Sequence, residues 1–306
     1  MAYAIVTSCT NRKRVTPSKK LCARDLSKGS LAAVTKQWSA RIRTAKNTQE
    51  LGKLYIGRGF QEARKAAETL KARHFVVSAG LGLITTDRHA PPYSLTISRN
   101  SEDCILKKLT VQATPSEWWT SLTKTQRTKV RLDRKKFSTV LVALPRDYLE
   151  MVSPTLLKLA KRGENLRILT RPDQSHIHKD LQRYCITYDN RLDGVGSKNA
   201  GTLSDFISRC AHHFAAEVLI KHPDLIAIEH QAKVKSLLSK FSVRKRPVRE
   251  KRSDKHIKKI IEKDWNIVSG GSGKMLRRLR DHHQIACEQR RFKDLFHEVA
   301  ETRLKS

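Results

Sequence analysis

Acidic residues are scarce in this chain: 29 Asp and Glu stand against 62 Lys and Arg in 306 residues, a formal net charge of +33. A surplus of that size repels itself and is best tolerated beside a polyanion, because Lys and Arg on phosphates release condensed counterions. The expected partner is nucleic acid. Charge alone does not separate double-stranded DNA from RNA, and the RNP-type aromatic motif of one RNA-binding module is absent.

Other absences narrow the field further. The cysteines, Cys9, Cys22, Cys104, Cys185, Cys210 and Cys287, form no CxxC pair, so zinc-finger and iron–sulfur spacings are missing. No metal or cofactor is expected. No apolar run reaches the ~18–20 residues of a membrane span. The first residues lack the basic region, apolar stretch and cleavage site of a secretory signal, and the expectation is a cytoplasmic protein. GxGxxG is absent, as is the GxxxxGK[ST] phosphate loop.

What is present is enough to fold, with 39% hydrophobic residues. Apolar, β-branched runs at 2–8, 74–78, 138–144 and 166–170, with a short one at 185–189, predict strands. Between them, three- and four-residue spacing predicts helices, one continuous from Leu51 to Leu70, another over 149–162 and a third from about 202 to 220. The segment 102–130 reads as partly helical around Trp118 and Trp119. This alternation predicts an α/β domain over 1–220 with a mainly parallel sheet flanked by helices. A helical link and basic tether are expected over 221–253, the tether being Arg244-Lys-Arg-Pro-Val-Arg-Glu-Lys-Arg. A small basic module of three helices, bound to nucleic acid, is expected over 254–306.

Parallel sheets carry ligands beyond the carboxyl ends of their strands. That singles out the loops 8–14, 78–93, 145–148 and 170–174. In the second loop, Asp87 precedes a Pro-held Tyr93 by six residues. A carboxylate and an aromatic face in one pocket suit cleavage of an N-glycosidic bond. The acid stabilises the cationic sugar and orients water, while the ring stacks on an extruded base. The alternative is that Gly80 and Gly82 turn the chain and Asp87 caps the turn. Ser8, Cys9, Asn11, Ser78, Gly82 and Tyr148 are candidate base contacts, and Lys13 and Arg58 candidate phosphate contacts. In the C-terminal module, Ser269 or Ser272 can cap a helix whose Lys274, Arg277 and Arg278 share one face, as in a phosphate clamp. His176 and His178 border a loop that could face the crevice.

The string Ser8-Cys9…Lys13, Leu54-Tyr55-x-Gly57-x-x-Phe60, Ser78-Ala79-x-x-Gly82-Leu83-Ile84-x-x-Asp87-x-x-x-Pro91-x-Tyr93 and Gly201-Thr202-x-x-Asp205-Phe206-x-x-Arg209 resembles a bacterial domain family. That family is similar to uracil-DNA-glycosylase-like and archaeosine-transglycosylase accessory domains. It includes anti-phage DNA glycosylases that remove α-glucosylated 5-hydroxymethylcytosine. The resemblance covers about residues 3–210 and implies a uracil-DNA-glycosylase-like fold, base removal from modified phage DNA, and a catalytic role for Asp87. The contiguous Gly-x-Asp-Pro-Tyr motif of glycosylases is not present, since Arg-His-Ala-Pro-Pro separates Asp87 from Tyr93. Two other readings stay open: a non-catalytic nucleic-acid-binding or tRNA-modification accessory protein, and a nuclease, which lacks here a recognisable acidic metal motif.

Overall fold

The computed structural model describes residues 2–125, 132, 137–243, 248–268 and 271–305. Two compact units divide the chain, Met1–Arg244 and Lys245–Ser306.

The first unit is built on six strands: β1 (Tyr3–Ser8), β2 (Arg73–Ser78), β3 (Gly82–Thr85), β4 (Thr139–Ala143), β5 (Leu166–Thr170) and β6 (Cys185–Thr187). Their order in the sheet is β3-β2-β1-β4-β5-β6, parallel throughout except for β3. Interior strands are apolar on both faces because helices cover both. In β1, Ala4 and Val6 face one core and Ile5 the other. In β4, Val140 and Val142 oppose Leu141 and Ala143 in the same way. Helices α1 (Leu31–Thr44), α3 (Pro115–Thr125) and α4 (Arg146–Lys161) contribute Trp38, Trp118, Trp119 and Met151 to the first core. Helices α2 (Arg58–Thr69), α5 (Phe206–Phe214) and α6 (Ala227–Leu238) contribute Ala66, Cys210, Phe214 and Val234 to the second. The chain thus enters β2 from α2 on one face and leaves β4 through α4 on the other. The strand order reverses between β1 and β4, which opens a crevice above their carboxyl ends.

Three expectations are corrected. The helix expected over Leu51–Leu70 is broken: a turn at Leu51–Leu54 stops, and α2 begins at Arg58. The intervening backbone pairs instead with the loop after β1, Ile56 N–H donating to Arg12 O and Arg14 N–H to Leu54 O. Gly57 permits this approach, because a Cβ there would lie 2.1 Å from Thr10 Oγ1. Second, residues after β2 do not run on as a loop. They fold back as β3, with Gly82 at φ 70° in the turn. Third, the link expected over 221–253 is divided between the two units. Helix α6 packs Val234 and Leu238 into the second core, while Glu250–Lys251 pairs with Ile285–Ala286 in the C-terminal unit. Arg244–Pro247 of the tether, residues 126–130, and Ser269 lie outside the described residues.

The second unit contains α7 (Asp254–Asp264), α8 (Ser272–Asp281) and α9 (Gln289–Lys305) around Ile257, Ile261, Met275, Leu279, Phe292 and Val299. Asp264 is buried among them. It accepts from Arg278 Nε and His283 Nε2, each at 2.6 Å.

One buried group gives the first unit a predictable acid response. His74 on β2 shares a 2.8 Å hydrogen bond with Thr7 and stacks on Phe60 with ring centroids 5.4 Å apart. Burial pushes its pKa from 6.5 to about 4. The unfolded chain therefore binds this proton while the folded chain does not. Stability falls as pH drops from 6.5 towards 4, by up to about 3 kcal/mol for this residue. In urea melts over that range, His74→Gln should flatten the slope by that share. An unchanged slope would assign the acid sensitivity elsewhere.

Candidate active site

The carboxyl edge is assembled from β1 outward. Cys9 N–H donates to Val77 O at 2.9 Å, which locks the end of β1 to the end of β2. From there the loop runs over the start of α2. A cleft of about 260 Å³ forms where the ends of β1 and β4 meet the starts of α2 and α5. Ser8, Cys9, Thr10 and Arg12 line one wall, Thr202, Ser204, Asp205 and Ser208 the other, and Arg58 stands at the start of α2.

Asp205 is buried in that wall. Its Oδ1 accepts from Thr202 N–H at 3.0 Å and from Arg209 Nε at 2.7 Å, and Oδ2 lies 3.1 Å from Arg58 Nε. Burial opposes its ionisation, but Arg209, Thr202 and Arg58 outweigh burial, so the carboxyl stays below its ordinary range. Arg209 also reaches Asp193 Oδ1 at 2.7 Å and the Thr202 carbonyl at 2.7 Å. The carboxylate is thus committed to arginines on two sides.

Beside the cleft lies a second group of side chains. Gly80 and Leu81 N–H donate to Ser78 Oγ at 3.1 and 3.0 Å. Those bonds occupy both acceptor positions, so the Ser78 hydroxyl donates to Tyr93 at 2.6 Å and Tyr93 donates to Tyr55 at 2.5 Å. Cys9 Sγ is 3.4 Å from the Tyr148 hydroxyl. Burial pushes all three phenols well above their ordinary pKa, and the nearby Cys9 adds to it, so they are neutral at physiological pH. Lys13 enters this group from the loop. Its Nζ lies 4.3 Å from the Tyr93 ring centroid and 5.6 Å from that of Tyr55, and donates to Thr10 O at 3.1 Å. Burial lowers its pKa, against the opposing pull of Cys9, Asp103 and Cys22. A desolvated amine in an apolar, aromatic setting is the form in which lysine becomes a nucleophile.

The structure separates residues that the sequence grouped. Asp87 is not at this edge. The pairing runs from Ser78↔Gly82 to Phe75↔Thr85, so β3 carries the chain back to the amino edge of the sheet, roughly 15 Å from Ser78. Asp87 is exposed there, its carboxyl held below the ordinary range chiefly by the Thr85 hydroxyl, with Arg73 and Arg88 adding to it. A larger cavity at that edge, about 440 Å³, is lined by Glu50, Arg64, His74 and Thr86 among others, but not by Asp87. Tyr93 is 1% exposed, so it has no face on which an extruded base could stack; its ring underlies Lys13. Gly82 serves the hairpin turn rather than a base. Asn11 is exposed and outside the cleft lining. Lys13 is drawn into the tyrosines instead of projecting to a phosphate. Arg58 is half exposed, yet paired with Asp205. Arg278 is tied to the buried Asp264 and only partly exposed, whereas Lys274 and Arg277 are exposed on α8. The helix cap falls at Gly271, with Ser272 as the first helical residue. Ser8, Cys9, Ser78 and Tyr148 do come together at the carboxyl edge.

No family model matches this chain, and comparison with curated proteins and with solved structures finds no match.

Of the cleft residues, Thr10 and Arg12 fall in the loop 8–14 that the sequence singles out, whereas Ser204 and Ser208 are not candidates there. Their signal is weak, being hydroxyls at or just before a helix start. The stronger one is the four-residue spacing of Asp205 and Arg209, which places the two on one helical face.

Proposed function

We propose that this protein is a DNA glycosylase that receives an extruded nucleotide at the carboxyl edge of the sheet, with Lys13 rather than Asp87 at the reacting carbon. The observation that carries the reading is the Lys13 amine, desolvated among neutral phenols and bonded to the carbonyl of Thr10, a residue that lines the hydroxyl- and arginine-lined cleft. The charge of +33 supports a duplex partner, and the exposed Lys274 and Arg277 suit its phosphates. Extrusion costs a few kcal/mol, an amount that phosphate contacts can offset. The resemblance of the 3–210 segment supports a uracil-DNA-glycosylase-like fold and modified phage DNA, with α-glucosylated 5-hydroxymethylcytosine as the base removed.

The chemistry follows from the amine. The Nζ lone pair forms a bond to C1′ while the glycosidic pair leaves with the base, which takes a proton from solvent. Nζ loses a proton, the C1′–O4′ bond opens with O4′ taking a proton, and an iminium results. Water then hydrolyses the iminium, returning the amine and leaving an abasic aldehyde. Tyr93 and Tyr55 hold the amine in place, and Ser78 fixes Tyr93.

Incubation with glucosylated phage DNA, followed by mass spectrometry of released bases, tests the reading. Free modified base and alkali-labile sites are expected, in EDTA as well as in its absence. Tight DNA binding with no released base would instead leave a binding protein. Asp87→Asn should hold the rate within about two-fold, because a carboxylate at the opposite edge touches no reacting atom. A loss of 100-fold or more would restore Asp87 and overturn the role given to Lys13.

A further inference from the structure

A second cavity, about 240 Å³, opens above the carboxyl ends of β4 and β5, between the starts of α4 and α5. Its walls are apolar: Leu149 from α4, Leu169 from β5, and Phe206 and Ile207 from α5. Two polar atoms in the lining stand out. Thr170 Oγ1 and His176 Nδ1 are buried and have no hydrogen-bond partner, and Thr170 is only 4% exposed. Buried hydroxyls and imidazoles normally close on a neighbour. Burial, with Arg146 adding to it, lowers the pKa of His176, so its imidazole is neutral and its Nδ1 is free to carry the ring proton.

The charged residues of the lining are Arg146, Arg171 and Asp173. Asp173 is already engaged. Its Oδ1 accepts from the Ser175 amide and hydroxyl at 3.0 and 2.7 Å, and Oδ2 lies 3.4 Å from Arg146 Nη1. Arg146 also holds Glu150, outside the lining, at 3.1 Å. Arg171 rests against the Phe206 ring, its guanidinium carbon 4.0 Å from the centroid. Its hydrogen bond among the described residues goes to Asn190 Oδ1 at 3.4 Å, an amide and not a carboxylate. Two cations therefore face one acid, and Arg171 is the cation that the acid leaves over. Helix α4 adds potential of the same sign. It is 16 residues long, its N-cap Pro145 supplies no side-chain hydrogen bond, and Asp147 in its first turn does not line the cavity.

We propose that this cavity binds a small carboxylic acid with a compact apolar body, its carboxylate on Thr170, His176 and Arg171 and its body between Leu149, Leu169, Phe206 and Ile207. The donors left without acceptors call for an oxyanion, and the surplus of one positive charge in the lining matches a monoanion. A phosphate dianion would bring one charge more than the lining neutralises, and burying an unpaired charge is costly. The apolar walls demand a hydrocarbon partner that a strand phosphate, flanked by sugars, does not carry. The volume lies below the ~300–1,000 Å³ of pockets for drug-sized ligands, which limits the body to about one ring. The proposal does not depend on the glycosylase reading, since Lys13, Tyr55 and Tyr93 take no part in this lining.

Titration calorimetry of the full chain with benzoate, with its neutral isostere benzamide, and with inorganic phosphate tests it. Benzoate should bind saturably, and at least about ten-fold more tightly than either of the others. Thr170→Val, which keeps shape and removes the orphaned hydroxyl, should weaken benzoate binding at least about five-fold while the melting temperature holds or rises. Arg171→Met should weaken it at least about ten-fold, as loss of a charged hydrogen-bond donor does. Ile207→Trp, filling the cavity, should abolish it. No saturable benzoate binding, or equal affinity for benzamide, would overturn the proposal, the second by removing the anion from it. Phosphate bound as tightly as benzoate would overturn it by removing the apolar body. Benzoate affinity unchanged in both Thr170→Val and Arg171→Met would place the ligand elsewhere and overturn it as well.

Discussion

Lys13→Met is expected to abolish base release while leaving the protein folded. Methionine retains most of the aliphatic stem that crosses the Tyr93 ring, so the packing of Tyr55, Tyr93 and Ser78 is kept while the amine is lost. Removing a group that bonds covalently to the substrate costs at least about 10³-fold in single-turnover rate, far beyond the effect of a lost cation–π contact of about 1 kcal/mol. The melting temperature should move little, and affinity for duplex DNA should fall only slightly. Two further measurements separate a nucleophile from a mere cation. Borohydride should trap the wild-type enzyme on abasic intermediates as a covalent adduct that the variant cannot form. Lys13→Arg, which preserves the charge, should be as inactive as Lys13→Met. The rate should also climb with pH, since only the neutral amine attacks, and its inflection should lie below the ordinary lysine value of 10.5 because burial has lowered it. A variant within ten-fold of wild type, or a rate that declines as pH rises through neutrality, would remove Lys13 from the chemistry.

The sheet itself was legible because its interior strands are short apolar runs closed by Gly, Pro or polar loops; β5 falls on Leu166–Thr170, where the run predicts it. The hairpin β2–β3 was not. Gly80 and Gly82 fall within the segment 78–93 read as a site loop, with a chain turn only as the alternative, and the β-branched Ile84-Thr85-Thr86 that follows is too short to announce a returning strand. That single omission carried Asp87 to the wrong end of the sheet, because a hairpin reverses direction and a loop need not. Lys13 was visible as a cation in a basic loop, but nothing local tells a lysine bound for a phosphate from one bound for an aromatic pocket. Its surroundings come from Tyr55 and Tyr93, distant in sequence and joined only through the sheet edge. Arg278 shows the same limit from the other side. It shares a helical face with Lys274, and its pairing with the buried Asp264 of another helix draws it partly under the surface.

The largest effect on stability should come from Arg209→Met. The arginine is 2% exposed. It neutralises Asp205 and Asp193 together and binds the carbonyls of Asn199 and Thr202, so one guanidinium fastens the 193–205 segment to α5. Methionine has the length but not the charge, and leaves two poorly solvated carboxylates facing each other's field. Breaking a buried pair by removing one partner costs about 3–5 kcal/mol. At about 2–4 °C per kcal/mol for a unit of this size, the melting temperature should drop by roughly 10 °C. The pH response identifies the cause. In the wild type the Asp205 carboxyl lies below its ordinary value of 3.8, so the stability it supplies is complete above that value and is lost as pH falls through the lowered one. Without Arg209 the carboxyl has lost its principal charge partner and burial raises it, so the variant should be least handicapped in acid and most handicapped near neutrality. Adding Asp205→Asn to Arg209→Met removes a buried charge that is left with Arg58 alone and should recover at least about 1 kcal/mol, a coupling expected of residues in one network. Additive losses in that double variant would mean that packing, not charge, holds the cleft wall. Because the same wall lines the cleft, its loosening should weaken DNA processing along with stability, whereas Lys13→Met affects processing alone.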